Sequence, residues 1–156
     1  YTTNDYMKCV DRLREAIPGC AITTDIIVGF PGETEKEFEE TLRFAEKARF
    51  SRIHVFPYSK REGTAAARMP DQIQRAVKTR RAAQLIELGG RMEYAFSESL
   101  IDTFQEVLVE SYESGYAYGY TDTYVRIKTQ SVNEDLLNTI IKVKMTGRGE
   151  GELREQ

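Results

Sequence analysis

The stretch Asp25-Ile26-Ile27-Val28-Gly29-Phe30-Pro31-Gly32-Glu33-Thr34 concentrates the residue types of a ligand site. A β-branched apolar run ends in a glycine-bearing turn and re-enters a helix through the capping pair Thr34 and Glu37. In parallel α/β folds, ligands sit outside the carboxyl ends of strands, where backbone N–H and C=O groups are free. Glycine there lets the backbone approach a ligand closely. The turn is not a phosphate-binding P-loop, since no Gly-Lys-Ser/Thr follows, and no Gly-x-Gly-x-x-Gly dinucleotide fingerprint is present. The same residues also read as a plain tight strand-to-helix turn, and the spacing leaves both readings open.

Other chemistry-bearing residues are sparse. His54, the single histidine, lies in a short apolar run and reads more readily as a packed or edge residue than as a general base, because no Ser or Cys nucleophile accompanies it in a recognisable motif. Asp25 and Glu33 could form a carboxylate pair, but Glu33 reads more simply as a charge favouring a helix N-terminus. Cys9 and Cys20 are too few for a disulfide scaffold and wrongly spaced for zinc or an iron–sulfur ligand set. No metal ligands and no catalytic residues are assigned. Toward the end of the chain, Arg126 with Lys128, and Lys142 with Lys144, each share one face of a strand, interleaved with Tyr112, Tyr116, Tyr118, Tyr120 and Tyr124. Cations beside stacking aromatics on a barrel suit a single-stranded nucleic acid; a solvated exterior with half-buried tyrosines suits the same residues.

The elements that must position these groups follow from periodicity. Residues 2–17 form a helix capped by Thr2 and Asp5, with Tyr6, Val10, Leu13 and Ile17 on one face and Pro18-Gly19 ending it. Residues 21–28 read as a strand covered on both faces. A helix to about Ala48, a strand at 53–56 closed by Pro57, and a long helix from about Ile73 to Ser97 complete an α/β region. Gly89-Gly90 predicts a kink or break in that last helix. After Leu100 short alternating runs (105–109, 116–120, 124–128 and 140–145) predict a small closed β-barrel. The fold class is thus α/β followed by all-β, with domains 1–96 and 97–156.

Composition narrows the setting. The net charge is −3, with 22 Lys/Arg against 25 Asp/Glu. Residues 52–91 nevertheless hold Arg52, Lys60, Arg61, Arg68, Arg75, Lys78, Arg80, Arg81 and Arg91 against only Glu62, Asp71 and Glu87, an excess that suits a polyanion or a solvated helix face. No apolar run is long enough for a membrane span and no signal peptide is present, so a reducing cytoplasm is expected. The chain begins at Tyr1, which suggests a piece of a longer polypeptide.

As an ordered set, these motifs resemble the C-terminal portion of the MiaB-like radical S-adenosylmethionine tRNA methylthiotransferases. The resemblance runs through Thr23 to Thr34, Phe38-Glu39-Glu40-Thr41-Leu42, His54-Val55-Phe56-Pro57-Tyr58-Ser59, Arg61-Glu62-Gly63-Thr64 and Ala66-Ala67-Arg68-Met69. It ends with Gly119-Tyr120-Thr121-Asp122-x-Tyr124-Val125 and Ile141-Lys142-Val143-Lys144. Val55-Phe56-Pro57-Tyr58-Ser59 is most similar to the branch acting on threonylcarbamoyladenosine, the MtaB type. The resemblance implies the last strands of a partial (β/α)6 radical SAM barrel followed by a TRAM domain, a small tRNA-binding β-barrel. It implies that full-length enzymes use S-adenosylmethionine and two [4Fe-4S] clusters, the cofactor supplying both the methyl group and the radical that abstracts hydrogen from the base. Val28, Gly29 and Phe30 would lie against the cofactor's adenine, with Phe56 and Pro57 walling the same pocket. Arg126, Lys128, Lys142, Lys144, Tyr118 and Tyr124 would contact tRNA.

The departures limit this piece. No Cys-x-x-x-Cys-x-x-Cys is present, so no cofactor is expected on the chain alone and it is expected to be inactive, at most RNA-binding. Where the family has proline after Met-Pro-Asp-Gln, Ile73-Gln74 stand here, read as a longer helix start. Strands stripped of neighbours expose hydrogen-bonding edges, so a homodimer of the truncated chain is expected. Two non-enzymatic alternatives remain, a free-standing RNA-binding module and a protein-docking barrel.

Overall fold

The computed structural model describes residues 1–131 and 134–153. Two compact units divide between Glu93 and Tyr94, inside the long helix and three residues ahead of the expected boundary.

In the first unit, α1 (Thr3–Ala16) is capped as its sequence dictates: the Asp5 N–H donates to Thr2 Oγ1 at 3.3 Å and the Thr2 N–H returns to Asp5 Oδ2 at 2.9 Å. Only the first half of its apolar stripe packs. Val10 is buried and Tyr6 meets Phe44 and Phe50 edge-on, whereas Leu13 and Ile17 stay exposed, the last turn being held by Arg14, which donates to the Ala48 and Arg49 carbonyls. β1 (Thr23–Val28) and β2 (Arg52–Pro57) pair in parallel, joined by α2 (Glu35–Ala48). A short helical turn, α3 (Ala65–Arg68), precedes α4 (Arg75–Ser99). The core gathers Val28, Phe38, Ala45, Ala48, Phe50, Ala82, Leu85 and Leu88.

Two expectations are corrected here. β1 is not covered on both faces: burial alternates along it, Val28 being buried and Ile27 54% exposed, because helices pack against one side only. Nor do Gly89-Gly90 break α4, which runs unbroken through them; Leu85, Leu88 and Gly89 are buried against the core, and that packing outweighs the propensity cost of about 1 kcal/mol per glycine.

In the second unit β3 (Phe104–Glu113), β4 (Tyr116–Thr121), β5 (Arg126–Gln130), β6 (Ile140–Gly147) and β7 (Glu150–Leu153) close a barrel in the order β3-β4-β5-β7-β6. Strict alternation sends Val107, Val109, Ala117, Ile127, Ile141, Val143 and Met145 inward. The expected strand at 124–128 starts two residues later. Tyr124 instead sits in the β4–β5 turn at φ 60°, where its N–H donates to the Thr121 carbonyl and the Val125 N–H to Thr121 Oγ1, both at 3.0 Å. β7 is the strand the alternation rule missed, since Glu-Gly-Glu-Leu carries one apolar side chain. It closes the barrel because Gly151 has none: a Cβ there would strike the Val143 side chain and come within 3.0 Å of the Lys144 carbonyl.

Candidate functional site

Two places gather functional groups. The first is the carboxyl end of β1 and β2. Gly29 takes a left-handed φ of 72°, and a Cβ at this position would collide with the Lys78 side chain lying across it. Its N–H donates to Glu33 Oε2 at 2.6 Å. The same carboxylate oxygen receives Arg81 Nη1 at 2.6 Å, and that nitrogen also donates to the Glu33 carbonyl at 3.0 Å. Arg81 is only 3% exposed; its Nη2 reaches Glu35 at 3.0 Å and its guanidinium lies over the Phe38 ring. The guanidinium of Arg81, beside which Arg80 also reaches the same oxygen, holds the Glu35 carboxyl below its ordinary value. Lys78 Nζ donates to the Tyr58 carbonyl at 2.8 Å, and the Tyr58 N–H donates to the Val28 carbonyl at 2.8 Å. The turn is therefore clamped from α4 at both strand ends.

The expected cofactor residues separate within this arrangement. The Val28 side chain is fully buried in the helix-side core, so only its backbone faces the strand end. Phe30 (41% exposed, edge-on to Tyr58), Phe56 (50%) and Pro57 remain open. With Ile27 they leave apolar side-chain surface near the strand ends, which fits a planar, weakly polar ring such as adenine, while the Lys78 stem covers Gly29 itself. An iron–sulfur cluster is not fitted: the described residues hold no group of three or more potential ligands, and Cys9 and Cys20 are free thiols. Glu33, committed to Arg81 and Gly29, is not held in a pair with Asp25.

In the sequence Arg81 and Lys78 read only as members of the basic stretch and Tyr58 only as part of a motif, and none of the three carries a role at this turn. The signal for Arg81 was there: it occupies a core position of α4, in step with Val77, Leu85, Leu88 and Met92, and a charge in an apolar stripe requires a buried partner. The basic stretch is also less free than its composition suggests. Arg80 and Arg81 pair with Glu35 and Glu33, Arg91 pairs with Glu87, and Lys78 is spent on a carbonyl.

The second place is the barrel exterior. In register, Tyr118 lies opposite Lys128 and Tyr120 opposite Arg126. Arg126 lies over the Tyr118 ring at 5.7 Å and Lys128 over Tyr116 at 5.8 Å, while Tyr124 stands 79% exposed in the adjoining turn. Lys128 also bonds Glu150 at 2.9 Å, which holds its ammonium above the ordinary value. Lys142 and Lys144 are exposed on β6, a different sector: β7 with Glu150 and Glu152 separates them from β5 on one side, and β3 and β4 on the other. Lys142 lies over the Phe104 ring and Lys144 pairs with Asp102 at 3.4 Å. The aromatic and basic ladder is continuous across β4 and β5 and does not extend to β6.

Comparison with known proteins agrees with this anatomy. The Radical SAM superfamily model matches residues 1–45. The chain is 42% identical over 154 residues to the threonylcarbamoyladenosine tRNA methylthiotransferase MtaB of Bacillus subtilis, covering 96% of this chain and 34% of that protein. It is 43% identical over 151 residues to the tRNA-2-methylthio-N(6)-dimethylallyladenosine synthase of Thermoanaerobacter sp. (strain X514), covering 94% and 31%. The synthase of the same description from Corynebacterium urealyticum is 51% identical over 110 residues, 70% of this chain and 20% of that protein. The chain is thus a homologue of radical SAM proteins carrying a small closed β-barrel after the α/β part. More narrowly, its relatives over almost its whole length are the tRNA methylthiotransferases of MtaB and MiaB type. It spans about a third of the length of those relatives.

Proposed function

We propose that these residues are part of a tRNA methylthiotransferase of the cytoplasm, and that the barrel's role is to hold tRNA while the α/β part walls the S-adenosylmethionine pocket. The observation that carries the tRNA reading is the in-register ladder of Tyr118, Tyr120, Arg126 and Lys128. Stacking faces and cations on one surface bind a single-stranded loop by base stacking and phosphate contact together. Tyr124 projects from the adjoining turn, and Lys142 and Lys144 add a second, separate phosphate contact.

Phe30, Phe56, Pro57 and the backbone of Val28 and Gly29 would hold the adenine of S-adenosylmethionine, which when bound supplies the methyl group and the radical chemistry. Glu33, fixed by Arg81, holds the Gly29 N–H, and with the Lys78 stem lying across Gly29 it sets the shape of this strand-end wall. The three thiolates of a cluster cannot come from Cys9 and Cys20, so this chain alone turns over no cofactor. The adenosine modified belongs to the threonylcarbamoyl branch, in line with Val55-Phe56-Pro57-Tyr58-Ser59 and the MtaB relative. Both outer edges of the β1–β2 sheet lack a strand partner among the described residues, and isolated chains associate through them.

The test is binding of an anticodon stem-loop by the chain and by its Tyr118→Ala and Arg126→Ala variants. Undiminished affinity in both variants refutes the ladder as the tRNA contact. Sedimentation velocity at high concentration tests association, and a compact monomer contradicts it.

A further inference from the structure

The open face of the β1–β2 sheet carries polar groups that neither the fold nor the strand-end pocket uses. Side chains of odd-numbered β1 residues and even-numbered β2 residues share this face, and the register sets Thr23 beside Arg52, Asp25 beside His54, and Ile27 beside Phe56. Neighbouring parallel strands stand about 4.8 Å apart and successive rungs about 6.6 Å apart, so the face forms one short ladder. It is apolar at the carboxyl end, where Ile27 and Phe56 are half exposed, and becomes polar one rung below. Asp25, Arg52 and His54 are all exposed, and none makes a side-chain hydrogen bond or ion pair among the described residues.

Those groups are complementary to one kind of substituent. A guanidinium fork receives a carboxylate bidentately, an imidazole donates to or accepts from a neighbouring polar atom, and a carboxylate accepts N–H and O–H donors. A threonylcarbamoyl group on the adenosine N6 carries a carboxylate, a hydroxyl and a urea-type N–H. A dimethylallyl group carries none of these, and covering this rung with it would strip water from charges without replacing the lost hydrogen bonds.

We infer that Arg52, His54 and Asp25 form a specificity site, reading an anionic, hydrogen-bonding N6 substituent of the substrate base below the strand-end rung of Ile27 and Phe56. This rests on the tRNA methylthiotransferase reading above and adds to it the residues that choose the substrate. Arg52 takes the carboxylate, and Asp25 takes the substituent's N–H or hydroxyl. His54 fills the same rung as a polar, planar neighbour.

The experiment uses the native-length polypeptide that carries these residues and three anticodon stem-loop RNAs. The three are identical except for one adenosine, which bears threonylcarbamoyl, dimethylallyl or no substituent, and the readout is binding affinity rather than turnover. The expected result is a preference for threonylcarbamoyl over dimethylallyl of about 10-fold or more, since sites built on hydrogen bonds reject analogues that lack them. In the Arg52→Met, His54→Phe double variant that preference collapses while affinity for the dimethylallyl RNA is kept or raised, which also reports that the variant is folded. Arg52→Lys retains part of the preference. Should the double variant lose all three RNAs, Arg52→Gln alone makes the same comparison. An unchanged preference in the variants, or a wild-type protein that favours dimethylallyl, overturns the inference. Failure of the wild type to bind any of the three overturns the tRNA reading itself, and this inference with it.

Discussion

Arg81, at a core position of α4, and Gly29, at the end of β1, share one carboxylate oxygen: Glu33 Oε2 lies 2.6 Å from the Arg81 guanidinium and 2.6 Å from the Gly29 N–H. A residue 48 positions away thus fixes the conformation of a strand-end turn. Removing one partner of a buried charge pair leaves the other uncompensated.

Arg81→Met is therefore expected to destabilise the chain by about 3 kcal/mol, in the range seen when a buried ion pair loses one member. Urea unfolding measures it. Because Glu35 is half exposed, the loss traces to Glu33, and Glu35→Gln should cost far less. Equal losses for the two variants would count against this division.

Barrel closure hangs on a missing side chain. Gly151→Val puts a branched group where the Val143 side chain already lies, and overpacking of this kind costs about 1–3 kcal/mol. Hydrogen exchange should rise first in β5 and β7, which meet only at Lys128–Glu150 and Thr129–Gly151. Uniform exchange across the molecule would argue that closure is not the weak point.

Acid should weaken the fold. Asp5, Glu35 and Glu37 are held below their ordinary values, by the Thr2 backbone and hydroxyl, by Arg81, and by the Thr34 backbone and hydroxyl respectively. A depressed carboxylate contributes stability that is complete above its unfolded value and is lost as pH falls through its folded value. Thermal midpoints should be level at neutral pH and drop below the ordinary glutamate value of 4.5. The Thr2→Ala, Thr34→Ala double variant should show a shallower drop; an identical slope would remove the caps as its source.

Much of this molecule is legible from spacing. Capping boxes at Thr2 and Thr34, the alternation of 105–109 and 140–145, and the proline and glycine stops define most elements, because those signals are local. What escapes is set by distant partners. Arg81 reads as one more cation until Glu33 is brought against it, and β7 reads as a polar turn until Gly151 meets Val143. The pairing of Asp25 with His54 needs a register that no single strand encodes. Leu13 and Ile17 continue a helical stripe that stays about half exposed.

Cofactor chemistry gives a plain expectation. After anaerobic reconstitution with iron and sulfide, the 156-residue chain should release no 5′-deoxyadenosine from S-adenosylmethionine, since Cys9 and Cys20 are its only thiols. Detectable product would show that a cluster assembles on other ligands.

The central claim is that the β4–β5 ladder contacts RNA, and its most direct measurement is stem-loop affinity titrated against salt. For single strands each phosphate contact contributes about −0.7 to the slope of log affinity against log salt concentration. The wild-type chain should show a steep negative slope, Arg126→Ala should reduce it by about one contact, and Tyr118→Ala should lower affinity by about 10-fold without changing the slope. A flat salt dependence, or variants that bind as the wild type does, would contradict the account.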